Sequence, residues 1–342
     1  MSRLVLLAVR CFAVALAMRA HAAEASLALP EPLVTLLASG KWDATPRGFR
    51  IITLSFIADG CAAEARAGAA KRAAATRCID DALELAKKDR PSGLDVDRAD
   101  AGLWLAHYAL ILGSRDTAAA SCADAGEHRR VTDALAKRSL AEPTAHAPSF
   151  AGKPERYPAD QAAVLAALAR HDRAHGTSLA TEPAARYDAY LVEHTDAETG
   201  LPWSQVAGKS AAGKLPRGCA LSWQTRYLAE VLPARAARDW QLYLKHYLFD
   251  AGVLVGMREW PPGRDRPADI DSGPIVRGVG TAASALAIAA ARRMGDDTLA
   301  LRLEASAASV MALAAADPAI TASSHTKIAE AIRYLGHVER KD

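Results

Sequence analysis

Apolar residues recur along most of the chain at the three- and four-residue intervals that place them on one face of a helix. In DWQLYLKHYLFD, residues 239–250, Trp240, Leu244, Tyr247 and Leu248 fall at i, i+4, i+7 and i+8, behind Pro233, which suits a first helical turn. PADQAAVLAALARHDRAHG opens with Pro158 and stops at Gly176, and GVGTAASALAIAAARRMG stops at Gly295. The last of these is small and apolar nearly all round, which marks a buried helix. Only FRIITLSFI, residues 49–57, reads as a strand, and a buried helix start competes with it.

The same periodicity predicts helices near 31–39, 51–66, 70–89, 98–113, 116–139, 158–174, 182–195, 219–231, 234–249, 279–294, 297–316 and 319–337. Twelve helices make six hairpins. Short links (175–181, Leu232 with Pro233, Gly295 with Asp296) alternate with long ones at 140–157, 196–218 and 250–278. In an up-and-down arrangement alternate connections lie on one end, so the three long loops are expected to share a rim. They are rich in Trp, Pro and charge, a composition that favours ordered, functional loops over linkers. No motif recurs at a fixed period, so a closed ring of unlike hairpins fits better than an open solenoid.

At 342 residues the chain can form one large domain or two. Its start, MSRLVLLAVRCFAVALAMRAHAAEA, has a basic end, an apolar stretch and the triplet Ala20-His21-Ala22, the pattern of a secretory signal peptide cleaved near Ala22 or Ala23. Arg10 shortens the apolar run and argues against a membrane anchor; the expectation is a leader over 1–23 and one helical domain over 24–342, periplasmic or secreted. Arg3, Arg10 and Arg19 precede the first acid, Glu24, so cleavage takes the net charge from +3 to zero. A nucleic-acid partner thereby loses its electrostatic support. No other apolar run is long enough to span a bilayer.

Removal of Cys11 leaves Cys61, Cys78, Cys122 and Cys219, enough for two disulfides. Cys61 with Cys78 is the preferred pair, because the two fall on successive helices of one hairpin; four buried free thiols are the alternative. No CxxC or CxxH spacing occurs, so no metal site is expected, and no cofactor fingerprint is present.

Candidate chemistry concentrates in the long loops. Tyr157 precedes Pro158, and Asp160 falls in the first turn of the next helix, either capping it or presenting a base or hydroxyl ligand to a cavity. Trp203, in ETGLPWSQ, offers a flat face beside Pro202, while Trp223 and Tyr227 share one side of the following helix as ligand platform or core. Cys219 begins that helix, where the dipole would lower its pKa; the alternatives are a nucleophile and an inert buried cysteine. In REWPPGRDRPADIDSGP, residues 258–274, Glu259 lies between Arg258 and Trp260, so that Arg258 could keep it ionised or the indole could desolvate it. Asp269 and Asp271 flank Ile270 and in an extended segment point to one side. The competing reading of this loop is an ion network of Arg258, Arg264, Arg266, Asp269 and Asp271 that fixes its shape. Gly278 and Gly280 suit tight helix entry; two glycines are a weak phosphate signal. His107, inside GLWLAHYALILG, is either a satisfied core group or a base.

Six hairpins with Trp- and carboxylate-bearing loops on one rim resemble the (α/α)6 toroid of the six-hairpin glycosidases, several polysaccharide lyases and the linalool dehydratase/isomerase family. The segments YPADQAAVLAAL, GLPWSQ, RGCALSW, REWPPG and DIDSGPIVRGVGTAASALAIAAARRMGD carry the likeness, over roughly residues 98–300. The resemblance implies an all-α (α/α)6 toroid and an exported enzyme acting on a glycan or other polyhydroxylated small molecule. Glu259 and Asp160 are then the first acid/base carboxylates and Asp269 and Asp271 the next. A hydro-lyase or isomerase of linalool dehydratase type with Cys219 facing a dry cavity, and a non-catalytic ligand-binding toroid, are the alternatives.

Overall fold

The computed structural model describes residues 26–43, 45–119, 124–207, 214–315 and 326–340. The predicted leader and Cys122 lie outside the described residues.

Twelve α-helices are present among the described residues: α1 (Glu31–Ser39), α2 (Arg47–Ala67), α3 (Arg72–Lys88), α4 (Gly102–Ala118), α5 (Ala125–Ala141), α6 (Pro158–His175), α7 (Thr181–Glu193), α8 (Gly218–Leu228), α9 (Pro233–Tyr247), α10 (Thr281–Met294), α11 (Asp297–Ala315) and α12 (Thr326–Val338). The even-numbered helices pack in sequence, α2 on α4, α4 on α6, α6 on α8, α8 on α10 and α10 on α12, and α12 returns to α2. The odd-numbered helices lie outside them, α3 against α2 and α4, α5 against α4 and α6, α9 against α8, α11 against α10. The fold is a six-hairpin (α/α)6 toroid.

Hydrophobic pattern decides which helix is inside. Every residue of α2 from Ile51 to Ala65 is buried, as is nearly all of α6 up to His171. An inner helix touches neighbours on both sides, an outer helix behind and other side chains in the bore, so it is apolar all round. This settles residues 49–57, where the strand reading fails: FRIITLSFI is the first half of an inner helix. Outer α9, by contrast, buries one stripe, Ala236, Asp239, Trp240, Tyr243 and Tyr247.

Ring closure depends on a close approach of the first inner helix to the last. A Cβ on Gly60 of α2 would stand 2.3 Å from the Tyr334 ring of α12, and the Tyr334 hydroxyl donates to Glu64 Oε1 at 2.7 Å. Next to Gly60, a disulfide joins Cys61 to Cys78 on α3, with the Cα atoms 6.4 Å apart. Cys219 is a buried free thiol.

All six inner helices begin at the same end of the ring, and the long connections precede α6, α8 and α10 there. Segment 248–280 is not structureless. Strands β1 (Leu248–Asp250) and β2 (Val255–Met257) pair antiparallel, as do β3 (Ile275–Val276) and β4 (Val279–Gly280). Arg277 and Gly278, at φ 52° and 81°, form the two-residue turn between β3 and β4, the positive-φ geometry that matches strand twist. The three loops are tied together. Arg156 bridges to Ala207, Arg264 makes a two-pronged pair with Asp196 at 2.7 and 2.8 Å, and Arg217 reaches Asp269 at 2.8 Å.

The opposite end is closed by charge. Asp59 of α2 accepts from Ser114 of α4 at 2.7 Å, from Arg170 of α6 at 2.5 Å and from Arg226 of α8 at 2.7 Å. Arg170 also binds Glu230, and Arg226 and Arg293 bind Glu339. Burial opposes ionisation of Asp59, but the Arg170 and Arg226 guanidiniums hold its carboxyl well below the usual range. No described helix is long and apolar enough to cross a membrane.

Candidate functional site

The mouth of the ring is built from the first turns of α6, α8 and α10 and the segment 258–272. Its innermost element is Glu259, wholly buried between two glycines. A Cβ on Gly218 would lie 2.0 Å from the Arg258 carbonyl oxygen, and one on Gly280 would lie 2.8 Å from Glu259 Oε2. The chain can therefore insert between α8 and α10 only because both helices start with hydrogen in place of a side chain. Gly218 N–H donates to the Glu259 carbonyl at 2.8 Å, and Glu259 N–H to that of Gly278 at 3.0 Å.

The Glu259 carboxylate accepts from Arg217 Nε at 2.9 Å and from Cys219 N–H at 3.2 Å, and the Cys219 thiol donates to it at 3.1 Å. Helix α8 has no side-chain cap from its own N-cap residue, Arg217; Glu259 supplies one from another segment, against the positive end of the helix. Burial pushes the Glu259 carboxyl up, while Arg217 and the two Cys219 bonds pull it down, for a net rise.

Arg217 is the hub that the sequence reading missed. Its guanidinium also contacts Asp269 at 2.8 Å and Asp271 at 3.9 Å, and it lies 5.2 Å above the Trp260 ring. Arg258, expected to pair with Glu259, instead lies over Phe249 at 5.5 Å. Adjacent residues of an extended segment point to opposite sides, which separates the two. The expected ion network within 258–274 is also differently wired: Arg264 pairs with Asp196, and Asp269 with Arg217, both across loops. Trp260, expected to desolvate Glu259 directly, is buried beneath Arg217.

Asp269 and Asp271 do not lie on an extended strand. Asp269 Oδ1 accepts from the N–H groups of Asp271 and Ser272 at 3.1 and 2.9 Å, a tight Asx-type turn. The turn still brings both carboxylates to Arg217. Asp269 is held below the usual range: burial raises it, but the Arg217 and Ser272 bonds outweigh that. Asp271 is raised, by burial first and by Asp269 second.

Across the mouth, Tyr157 caps α6 in the extended conformation that a residue before proline adopts, φ −120° and ψ 116°. Its carbonyl accepts from Asp160 and Gln161 N–H, each at 3.1 Å. The Asp160 carboxyl is pushed up to about 7, chiefly by burial and further by the Asp271 charge, with the nearby Ser149 hydroxyl opposing. Burial likewise raises the Tyr157 hydroxyl, with Glu155, Asp160 and Asp271 adding to it. Tyr157, Asp160, Arg217 and Asp271 thus act on one another electrostatically.

Deeper in the bore, Trp223 shares the α8 face of Cys219 and meets rings from α2 and α4: Phe56 at 5.4 Å and His107 at 5.1 Å between centroids, with Tyr227 at 6.0 Å. His107 is fully buried. Ser55 donates its hydroxyl to Ile52 O, so the 2.5 Å contact at His107 Nδ1 is an N–H donated by the ring, leaving Nε2 as an acceptor without a partner among the described residues. Burial lowers its pKa to about 3. Trp203 lies elsewhere on the rim, edge-on to His194 and with Lys214 Nζ 5.2 Å above its ring.

Cys219 sits at the start of α8, yet its thiol is pushed well above the usual range, by burial first and by the Glu259 carboxylate second. The expected lowering by the helix dipole is outweighed. No family model and no curated protein matches the sequence.

Proposed function

We propose that the mouth is an acid/base site of an exported enzyme acting on a glycan or other polyhydroxylated small molecule. Asp160 is its proton donor and Asp271 the second carboxyl, and Glu259 positions Arg217 and Cys219. The observation that carries this reading is the division of labour among carboxyls. Glu259 is sealed in and spends both oxygens on α8 and Arg217, whereas Asp160 is only partly buried and Asp271 is exposed, both with raised pKa values. A carboxyl that stays protonated near neutrality beside a second carboxyl is the pairing that glycoside cleavage requires. Trp223 and Tyr157 offer the flat apolar surfaces that sugar rings stack on. The Cys61–Cys78 disulfide supports an oxidising compartment, and so periplasmic or secreted location.

The test is an assay of the purified protein against a panel of soluble oligosaccharides, followed by reducing ends and by ultraviolet absorbance for elimination products. Turnover that falls above about pH 7 and drops at least about 100-fold in Asp160→Asn supports the reading. Turnover equal in Asp160→Asn and wild type removes it.

A second reading rests on the Cys219–Glu259 contact at 3.1 Å. A thiol kept protonated against a carboxylate is a proton donor, as a hydro-lyase or isomerase of an apolar alcohol needs. That reading predicts dehydration of an alkenol, lost in Cys219→Ser and retained in Asp160→Asn.

A further inference from the structure

Three imidazoles and a carboxylate meet on the rim opposite the mouth, where α4 and α6 end and α5 begins. Asp116, in the last turn of α4, accepts through one oxygen, Oδ2, from two rings: His128 Nδ1 of α5 at 2.8 Å and His175 Nε2 of α6 at 3.0 Å. One ligand atom from each of the three residues lies within 4.8 Å of the others. His171, one helical turn before His175 on α6, stands against both rings, 4.9 Å from His128 and 4.5 Å from His175 between centroids.

From this geometry we propose that Asp116, His128 and His175 form a binding site for a divalent transition metal of the zinc class. Metal–ligand distances of about 2.0–2.2 Å put tetrahedral ligand atoms roughly 3.3 Å apart. The two observed contacts from Asp116 Oδ2 need only a few tenths of an ångström of expansion to receive an ion. His171, four residues before His175 on the same helix face, packs its ring against those of His128 and His175 and so restrains both. Two imidazoles and a carboxylate suit zinc, cobalt or nickel, not calcium or magnesium, which take oxygen shells.

On His171, Nδ1 contacts Thr177 Oγ1 at 3.0 Å, and that hydroxyl donates onward to Asp172 Oδ1 at 2.5 Å. The Thr177 oxygen therefore accepts the His171 Nδ1–H, which leaves Nε2 with a free lone pair. The Thr177 contact thus fixes the His171 ring that packs against His128 and His175. The His175 side chain is 19% exposed, which gives an ion a way in.

The experiment strips the full protein with a chelator and titrates it with Co2+, then Zn2+. One equivalent of Co2+, with visible d–d bands but no sulfur-to-cobalt charge transfer, and displacement by Zn2+ are expected. His175→Gln, at the partly exposed position, should weaken binding by more than about tenfold while keeping the circular dichroism of the parent. Zn2+ should raise the melting temperature of the wild type and not of that variant. Binding of less than a tenth of an equivalent, or equal binding by the wild type, His175→Gln and Asp116→Asn, would overturn the proposal.

Discussion

Arg217 Nε lies 2.9 Å from Glu259 Oε1, and this pair, not the sequence neighbours Arg258 and Glu259, organises the mouth of the ring. One guanidinium holds a buried carboxylate on one side and two accessible ones on the other. Glu259→Gln keeps the shape but removes the charge that faces Arg217 and the start of α8. Breaking a buried pair costs about 3–5 kcal/mol; the remaining contacts to Asp269 and Asp271 place the expected loss near the lower figure. Urea unfolding reads it directly, and a loss below about 0.5 kcal/mol would show that Glu259 does not hold the segment in place.

Asp160 gives a pH signature. Burial raises its carboxyl from an ordinary 3.8 to about 7 in the folded protein. The folded state therefore keeps a proton that the unfolded chain releases. The contribution to stability is full below about pH 4 and is lost as pH rises to about 7. Asp160→Asn removes this slope, so the difference in unfolding free energy between variant and wild type should shift in favour of the variant across that window. Parallel stability curves from pH 4 to pH 8 would contradict the assignment.

Cys219 should be slow to alkylate. Only 8% exposed, with its thiol pushed up by burial and by Glu259, it lacks the thiolate that attacks iodoacetamide. At pH 8 the native protein should retain the Cys219 thiol through hours that modify the unfolded chain completely, with peptide mass spectrometry separating Cys219 from Cys122. Rapid native labelling at Cys219 would instead mark an activated nucleophile.

At the far end, Asp59 faces Arg170 and Arg226. Asp59→Asn leaves two buried guanidiniums short of a counter-charge, and a loss of about 3–5 kcal/mol is expected in chemical denaturation. Because Asp59 joins α2, α6 and α8, the variant should also lose cooperativity; an unchanged midpoint would show that Glu230 and Glu339 suffice.

The ring was legible because helices announce themselves locally. The stripe of Trp240 and Tyr247, the stops at Gly176 and Gly295 and the alternation of short and long links need only neighbours in sequence to be read. The Cys61–Cys78 pairing followed from the same hairpin logic. Contacts made across the ring were not legible. Arg217 precedes Gly218 as an ordinary basic residue, and nothing near it says that its partner is 42 positions away. Arg258 is adjacent to Glu259 in sequence, but adjacency in an extended segment points side chains apart. The turn at Asp269 hid behind Asp-Ile-Asp, which alternates like a strand until Ser272 folds it back. The histidine cluster had one local signal, the four-residue spacing of His171 and His175, and its other members come from separate helices.

The two glycines flanking Glu259 carry a consequence for how the mouth could change. Gly218 and Gly280 let a peptide segment enter between α8 and α10, so the spacing of those helices is fixed by two missing methyl groups and not by any large side chain. Alanine at either position would act as a wedge, prising the segment out and carrying Arg217 and the Asp269–Asp271 turn away from Asp160. The aperture of the ring is thus set by its smallest residues, and the charged groups around it are passengers on that setting.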